Sequence, residues 1–466
     1  MTRVAGPAHA RRGVALLMVI TAIAILTAVA VEFSYRTRVE ARLAANARDR
    51  LRAYYLARSA VNLARLVLHF QRQVDSIQLP NITSMLGGLL GGGMGGAIPG
   101  MAGGMPQLPS SLAGAQGGSM HLRLWDIIPV DSGSLQLFIG PAQDALASDF
   151  PDADAEPPPP PVPLGRSGPH GTEFKLVGPN RAFGDFEGSF HAEISDEESK
   201  INVNALNQLS ALAAATSMEM MTLMHWKDQK YDFLFQDEDT DDRHLQIRRE
   251  DVLINLHDWI DTDNATSTFN PLALANFSDP FATGFGDEDE FYQQLDPRYR
   301  AKNAPFDTVD ELHMVHGVTD RWMAAFGDRL TVYSAPNSQL NVNTDDPSQQ
   351  LVNIVVSLDT TRDPTIVQQL LGSPMLLQTV LAEIQVLRSF SFLGLSVQSF
   401  LAVLAANGLP INPFLSTPNS PNAFLGDTSQ TFKIRATAQV GDVESRITAV
   451  IRYDDQLGKL LYWREE

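Results

Sequence analysis

The chain has 466 residues and is 44% hydrophobic, enough apolar material for buried cores on the scale of about three ordinary domains, which excludes a wholly disordered chain. Its 35 Lys and Arg against 54 Asp and Glu leave a formal charge of -19, unfavourable for a nucleic-acid partner. With no cysteine there is no disulfide, thiolate metal site or cysteine nucleophile.

Arg3, Arg11 and Arg12 lead into Val14 to Val31, an uncharged run that as a helix spans about 27 Å, a minimal membrane crossing. The arginines before this run have no acidic neighbour, whereas Arg36 and Arg38 after it are offset by Glu32 and Glu40, so the positive-inside tendency puts the N-terminus in the cytoplasm. The alternative is a cleaved secretory signal ending near Thr27-Ala28-Val29-Ala30. Leu43, Ala47, Leu51 and Tyr55, joined by Leu63, Leu66, Val67 and Phe70, carry the helical period onward. One unbroken helix from Val14 to about Phe70, about 85 Å long, is predicted, against a plainer reading of an anchor followed by a separate core helix.

Gly87 to Gly104 holds ten glycines and reads as a linker, because glycine maximises the entropy lost on ordering and no phosphate-loop lysine follows. Alternation at Leu122 and Leu124, and again at Leu135, Leu137 and Ile139, predicts strands around a turn at Asp131-Ser132-Gly133. Asp149 to Pro163, with five consecutive prolines, reads as an extended spacer. Two similar phrases follow, Ile201-Asn202-Val203-Asn204 and Leu340-Asn341-Val342-Asn343, each closing an extended segment and leading into a helical one. Their asparagines are expected to cap helices or satisfy turn backbone. Between the phrases, Leu206 to Ala215, Met218 to Trp226, Arg249 to Ile260 and Val309 to Val315 read as helices, and Met218, Met220, Met221 and Met224 read as packing residues rather than a soft-metal site.

The main chemical cluster is acidic: Asp258-Trp259-Ile260-Asp261-Thr262-Asp263, then Asp287-Glu288-Asp289, then Asn303. Hard oxygen ligands of this kind suit calcium better than zinc, although the spacing is not that of an EF-hand and a solvated acidic face is the bland alternative. Asp307 and Glu311 fall at the start of the Val309 helix, where carboxylates satisfy free N-H groups, and Lys302 is available to pair with an acid. His313 and His316 lack a third histidine for a zinc hydrolase, and His257 beside Asp258 is not a triad, since neighbours on a helix point to different faces. Beyond the second phrase, Thr365 to Leu387, interrupted at Pro374, and Ser389 to Ala406 form a second helical unit. Phe432 to Val440, Gly441-Asp442 and Val443 to Tyr453 form a hairpin, with a last short strand at Leu460 to Arg464.

Several of these phrases resemble one family. Arg11-Arg12-Gly13-Val14-Ala15-Leu16-Leu17-Met18-Val19-Ile20 resembles a prepilin leader and cleavage junction, and Arg50-Leu51-Arg52-Ala53-Tyr54-Tyr55-Leu56-Ala57-Arg58-Ser59-Ala60-Val61-Asn62 resembles the helix of the minor pseudopilin protein K of type II secretion systems. The two Asn phrases, Asp258 to Asp261, Tyr292, Pro297-Arg298-Tyr299 and Lys302 to Leu312 are similar to the same family, so the resemblance runs from about residue 11 to 466. It implies an α+β pseudopilin fold with a long N-terminal transmembrane helix, an antiparallel sheet and inserted SAM-like helical domains without DNA binding. The implied organisation is a leader over 1-13, a helix over 14-70 with its membrane half at 14-31, and a linker over 71-119. The first strands of the pseudopilin sheet follow at 120-204 with the spacer 149-163, then an acidic helical insertion at 205-330, a second helical module at 331-420 and terminal strands at 421-466.

The resemblance further implies that prepilin peptidase cuts after Gly13 and methylates Val14, taking the formal charge from -19 to -22 as three leader arginines are lost. Most pilins and pseudopilins carry glutamate at the fifth mature position, where this chain has Met18; the change removes a carboxylate from lipid and suits a subunit at a filament end. Members with the acidic insertion bind Ca²⁺, which makes Asp258, Asp261, Asp263, Asp287, Glu288, Asp289 and Asn303 the ligand pool and leaves Asn202, Asn204, Glu311, Asn341 and Asn343 as structural residues. The implied role is structural rather than catalytic. The chain is expected to be a single-pass inner-membrane protein with a periplasmic body that initiates and caps the secretion pseudopilus. The implied partners are the I- and J-type minor pseudopilins, the major subunit and the inner-membrane assembly platform. The alternatives are a minor type IV pilin-like tip protein or a membrane-tethered, metal-dependent periplasmic hydrolase.

Overall fold

The computed structural model describes residues 10-76, 121-134, 181-183, 186-225, 231-235, 247-363, 365-388, 393-413, 415, 424-454 and 457-466. The expected leader residues 1-9, the Gly87 to Gly104 linker, the strand at Leu135 to Ile139 and the proline-rich spacer lie outside them. Helix α1 runs unbroken over Ala10–Ser76, 67 residues or about 100 Å. Its two halves meet different surroundings. Leu16, Leu17, Ile20, Ile25 and Val31 are exposed, whereas Ala53, Leu56, Ala57, Ala60, Val61, Ala64 and Leu68 are buried. The four alanines bring the helix axis close to a sheet, and Leu56, Val61 and Leu68 each contribute about 1.5–3 kcal/mol by leaving water.

That sheet has five strands, β1 (Val130–Asp131), β2 (Ser189–Asp196), β3 (Thr431–Val440), β4 (Val443–Arg452) and β5 (Lys459–Glu465), in the antiparallel order β5-β4-β3-β2-β1. Period-two alternation sets its faces: Phe432, Ile434, Ala436 and Ala438 on β3 pack under α1, while Lys433, Arg435 and Thr437 point to the other side. Gly441-Asp442 closes the β3-β4 hairpin as expected, with Gly441 at φ 57° and Val440 paired to Val443. Gly188, at φ 135°, admits no side chain, because a Cβ there would sit 2.7 Å from the Gln439 carbonyl oxygen and 2.9 Å from Leu56. The chain is therefore α+β, with one long N-terminal apolar helix across an antiparallel sheet.

Two helical units leave this scaffold and return to it. The first holds α2 (Ser210–His225) and α3 (Arg249–Ile260); the second holds α4 (Pro347–Ser357), α5 (Ile366–Gly372), α6 (Pro374–Arg388) and α7 (Val397–Ala406). The break expected at Pro374 is present, with α5 and α6 bent by 90°. Their Ile366, Leu370, Val380 and Ile384 are buried in the core shared with α2 and α3. Three expectations need correction. Leu124 does not continue a strand: it starts a helical turn, Leu124–Ile127, that turns Trp125 against Phe432 at 5.7 Å. The two helices expected over Leu206 to Trp226 are a short 3-10 turn, Val203–Asn207, followed by the single helix α2. Helix α7 starts only at Val397, after a two-residue strand at Leu393–Gly394.

Candidate functional site

The acidic cluster is assembled at one end of α3. Val252, Leu253, Leu256 and Trp259 bury one face of the helix, which fixes the azimuth of its last residues. Asp261 follows as the C-terminal flanking residue, its N-H donating to the His257 carbonyl at 3.0 Å. The chain then runs into a hairpin of Ala265–Phe269 and Phe281–Asp287, whose pairing of Ala265 with Asp287 brings Glu288 back beside Asp263. Asn303, at φ 50°, donates through Nδ2 to the Asp263 carbonyl at 2.5 Å and to Asn264 Oδ1 at 2.8 Å.

Donor atoms of Asp261, Asp263 and Glu288 lie within 4.8 Å of one another. Asp261 Oδ1, both carboxylate oxygens of Glu288 and Asn303 Oδ1 are buried and have no hydrogen-bond partner. Orphaned buried oxygens are costly, and two carboxylates at this range resist ionising together. Burial, and then the charges of Asp261 and Asp258, push the Glu288 carboxyl up to about 8. Burial raises Asp261 to about 6, opposed by His257. A bound divalent cation would reverse both effects, and the all-oxygen donor set fits a hard ion such as Ca²⁺.

Asp263 accepts from the Ala265 N-H at 2.8 Å, and the rest of the expected ligand pool also bonds within the protein. Asp258 accepts from the Ser267 N-H through both oxygens at 3.1 and 3.2 Å, which ties α3 to the hairpin. Asp287 accepts from the Asp289 N-H at 3.1 Å, and Asp289 accepts from the Ala301 N-H at 2.9 Å. The structure thus brings together Asp261, Asp263, Glu288 and Asn303, with Asp258 and His257 grouped on the other side of Asp261, and leaves Asp287 and Asp289 as braces around them.

His257 was missed as part of this cluster. Contrary to the expectation that it faces away from its neighbour, its Nδ1 is 3.6 Å from both Asp258 and Asp261, and 3.2 Å from Ser267 Oγ. All three contacts fall on the same ring nitrogen, so this is no Ser-His-Asp relay, which needs the two nitrogens to face opposite partners. Below the cluster, Glu311 accepts from Trp259 Nε1 at 3.2 Å and from the Asp307 N-H at 2.9 Å, and Lys302 bonds both Asp307 and Glu311. Glu311 thereby holds the turn that leads into Val309–Met314.

The asparagines of the paired phrases do not cap helices. Asn202, the residue preceding the 3-10 turn, makes no side-chain cap and donates instead to the Ala335 carbonyl at 3.1 Å. Asn204 donates to the carbonyls of Phe306 and Val332 and accepts from the Phe306 N-H at 2.8 Å. Asn343 does the same to Leu395, donating to its carbonyl at 3.0 Å and accepting from its N-H at 2.7 Å. Asn341 bridges Asp196 and Ser429. At the other end of the molecule, Gly13 and Val14 lie in the opening turns of α1, and Met18 is exposed on the same apolar stretch.

Residues 199–335, which carry the first phrase and the whole acidic cluster, match the family model for type II secretion system protein K. That segment, less than a third of the chain, is similar to the protein K family. Among solved structures, a chain of the GspK-GspI-GspJ complex of the enterotoxigenic Escherichia coli type 2 secretion system is similar at 17% identity and a TM-score of 0.37, covering 60% of this chain and 80% of that one. No curated protein matches.

Proposed function

We propose that this chain is a minor pseudopilin at the tip of a type II secretion pseudopilus, where it helps initiate and cap the filament. The observation that carries the reading is the division of α1. Its stretch from Leu16 to Val31 is apolar and exposed, and the described residues contain one continuous helix long and apolar enough to cross a membrane. Its second half is locked to the sheet by Ala53 to Leu68. Such a helix inserts laterally among other membrane helices while carrying a rigid body outside. Two helical units make that body far wider than the helix, so it obstructs a further subunit above it.

In this reading prepilin peptidase cleaves after Gly13, Val14 becomes the methylated N-terminus, and Met18 leaves the helix without the buried carboxylate that suits interior subunits. The GspK-GspI-GspJ complex suggests I- and J-type minor pseudopilins as neighbours, with the major subunit and the assembly platform beyond them. Ca²⁺ is proposed to bind at Asp261, Asp263, Glu288 and Asn303, where the orphaned oxygens support it. The ion supplies positive charge that joins the end of α3 to the hairpin and to the Asn303 loop. It serves as a structural brace rather than a catalyst.

The test is mild extraction of the tagged full chain from membranes. Recovery of small prepilin-like subunits is expected. Their consistent absence, or normal processing of a Gly13→Leu variant, contradicts the proposal.

A further inference from the structure

The face of the sheet turned away from α1 carries basic side chains alongside acidic ones. There the outward positions of β3 form, with their cross-strand neighbours, the rows Ser195-Lys433-Val450-Tyr462 and Glu193-Arg435-Thr448-Arg464. The first helical unit overhangs these rows with Asp310 and Asp328, enclosing a cleft of about 670 Å³, the size range of sites that hold small ligands or a few peptide residues.

Most of the charges lining the cleft are already matched. Lys200 pairs with Glu197 at 2.5 Å, Arg446 with Glu444 at 2.6 Å, and Arg464 with Glu466 at 2.9 Å and Asp310 at 3.5 Å. Lys433 and Arg435 differ: among the described residues, neither side chain has a hydrogen bond or ion pair. Lys433 is half-buried, and its ammonium is pushed down chiefly by burial, with Lys200 and Arg435 repelling it against the opposing charges of Glu197 and Asp328. A half-buried cation with no hydrogen bond or ion pair, among charges of both signs in a chain of formal charge -19, is relieved by an anion from outside.

The arrangement also restricts the anion. Lys433 and Arg435 are two residues apart on one strand, so their attachment points lie about 6.8 Å apart along it, the spacing of alternate side chains on any extended peptide. Glu193 and Asp328 also line the cleft and disfavour a dense polyanion. We infer that this cleft is a docking site for an extended acidic segment of a partner protein, with carboxylates at alternate positions that engage Lys433 and Arg435.

The test uses the full chain in lipid nanodiscs and a fluorescent peptide of about eight residues with Asp at alternate positions, read by anisotropy. Replacing Asp by Asn in the peptide, or making Lys433→Met/Arg435→Met in the protein, is expected to weaken binding about tenfold or more, since charge-assisted hydrogen bonds are lost. Lys459→Met, on the outer strand, leaves binding unchanged. A Lys433→Glu/Arg435→Glu variant should instead bind the peptide with Lys in place of Asp, a gain that damaged folding cannot produce. Equal binding of the Asn peptide, or unaltered binding by the Met variant with an unchanged near-ultraviolet spectrum, overturns the inference. Displacement of the peptide by inorganic phosphate at matching concentration does so too. Self-association abolished by the same Met variant would make the occupant a second copy and overturn the separate partner.

Discussion

The two helical units are attached to the sheet in the same way and stabilised in different ways. Each opens with a two-residue parallel pairing, Ile201-Asn202 with Leu330-Thr331 and Leu340-Asn341 with Leu425-Gly426. Each then uses the final asparagine of its phrase to grip both sides of one distant residue, Phe306 or Leu395. Beyond that point they diverge. In the second unit the acids are consumed locally: Asp346 accepts from the Ser348 N-H at 2.7 Å, and Asp359 from the N-H groups of Thr361 and Arg362 at 3.2 Å. In the first unit, Asp261 and Glu288 are buried with oxygens the protein leaves unmatched. A neutral amide completes a junction by itself, whereas the buried carboxylate cluster keeps oxygens without a hydrogen-bond partner.

The junctions set the largest effect. Asn204→Ala and Asn343→Ala should each destabilise the full chain by about 3 kcal/mol, because each leaves several backbone groups without partners. Denaturant unfolding measures this, and a large cost at only one position would break the equivalence of the two junctions. Calcium should separate them. Saturation at about 100 times the dissociation constant should stabilise the first unit by about 2.7 kcal/mol. The gain should vanish in Asp261→Asn/Glu288→Gln, read by the unfolding midpoint, and persist in a Ser396→Ala variant of the second unit.

A smaller effect is expected from pH in the absence of metal. Glu288 titrates near 8 and Asp261 near 6 in the folded chain, both above their ordinary values. Their folded states therefore hold protons more tightly, so stability is full below about pH 4 and is lost as pH rises through 6 and then 8. Glu288→Gln should flatten the upper part of that decline. A decline that survives in this variant would point to Glu219, buried on α2 and raised to about 8 by desolvation. The smallest change is Ser396→Ala itself: loss of the bond from the Ser399 N-H at 3.2 Å should cost about 1 kcal/mol and be indifferent to calcium.

Local periodicity made much of this fold legible. Helix α3 could be read from Val252, Leu256 and Trp259, and the β3-β4 hairpin from strict alternation around Gly441-Asp442, because burial on one face leaves a period in the chain. Leu124 misled because a four-residue helix is too short to show a period. The grip of Asn204 on Phe306 spans 102 residues, so nothing local distinguishes it from a helix cap. The acidic site was legible as a pool and not as a set. Asp261 and Glu288 meet through the hairpin register and Asn303 joins them through its bonds to Asp263 and Asn264, while Asp287 and Asp289, adjacent in sequence to Glu288, turn into loop hydrogen bonds.

In the proposed function, α1 inserts among other membrane helices with one face while its body rides on the other. Because the chain contains no cysteine, single cysteines report this cleanly in cells. Cysteines at Leu43, Leu51 and Leu66, exposed along α1, should cross-link to small pilin-like subunits, whereas Ala57→Cys and Ala60→Cys, buried against the sheet, should not. Processed, membrane-inserted protein that cross-links at none of the exposed positions, or equally at all five, would contradict the account.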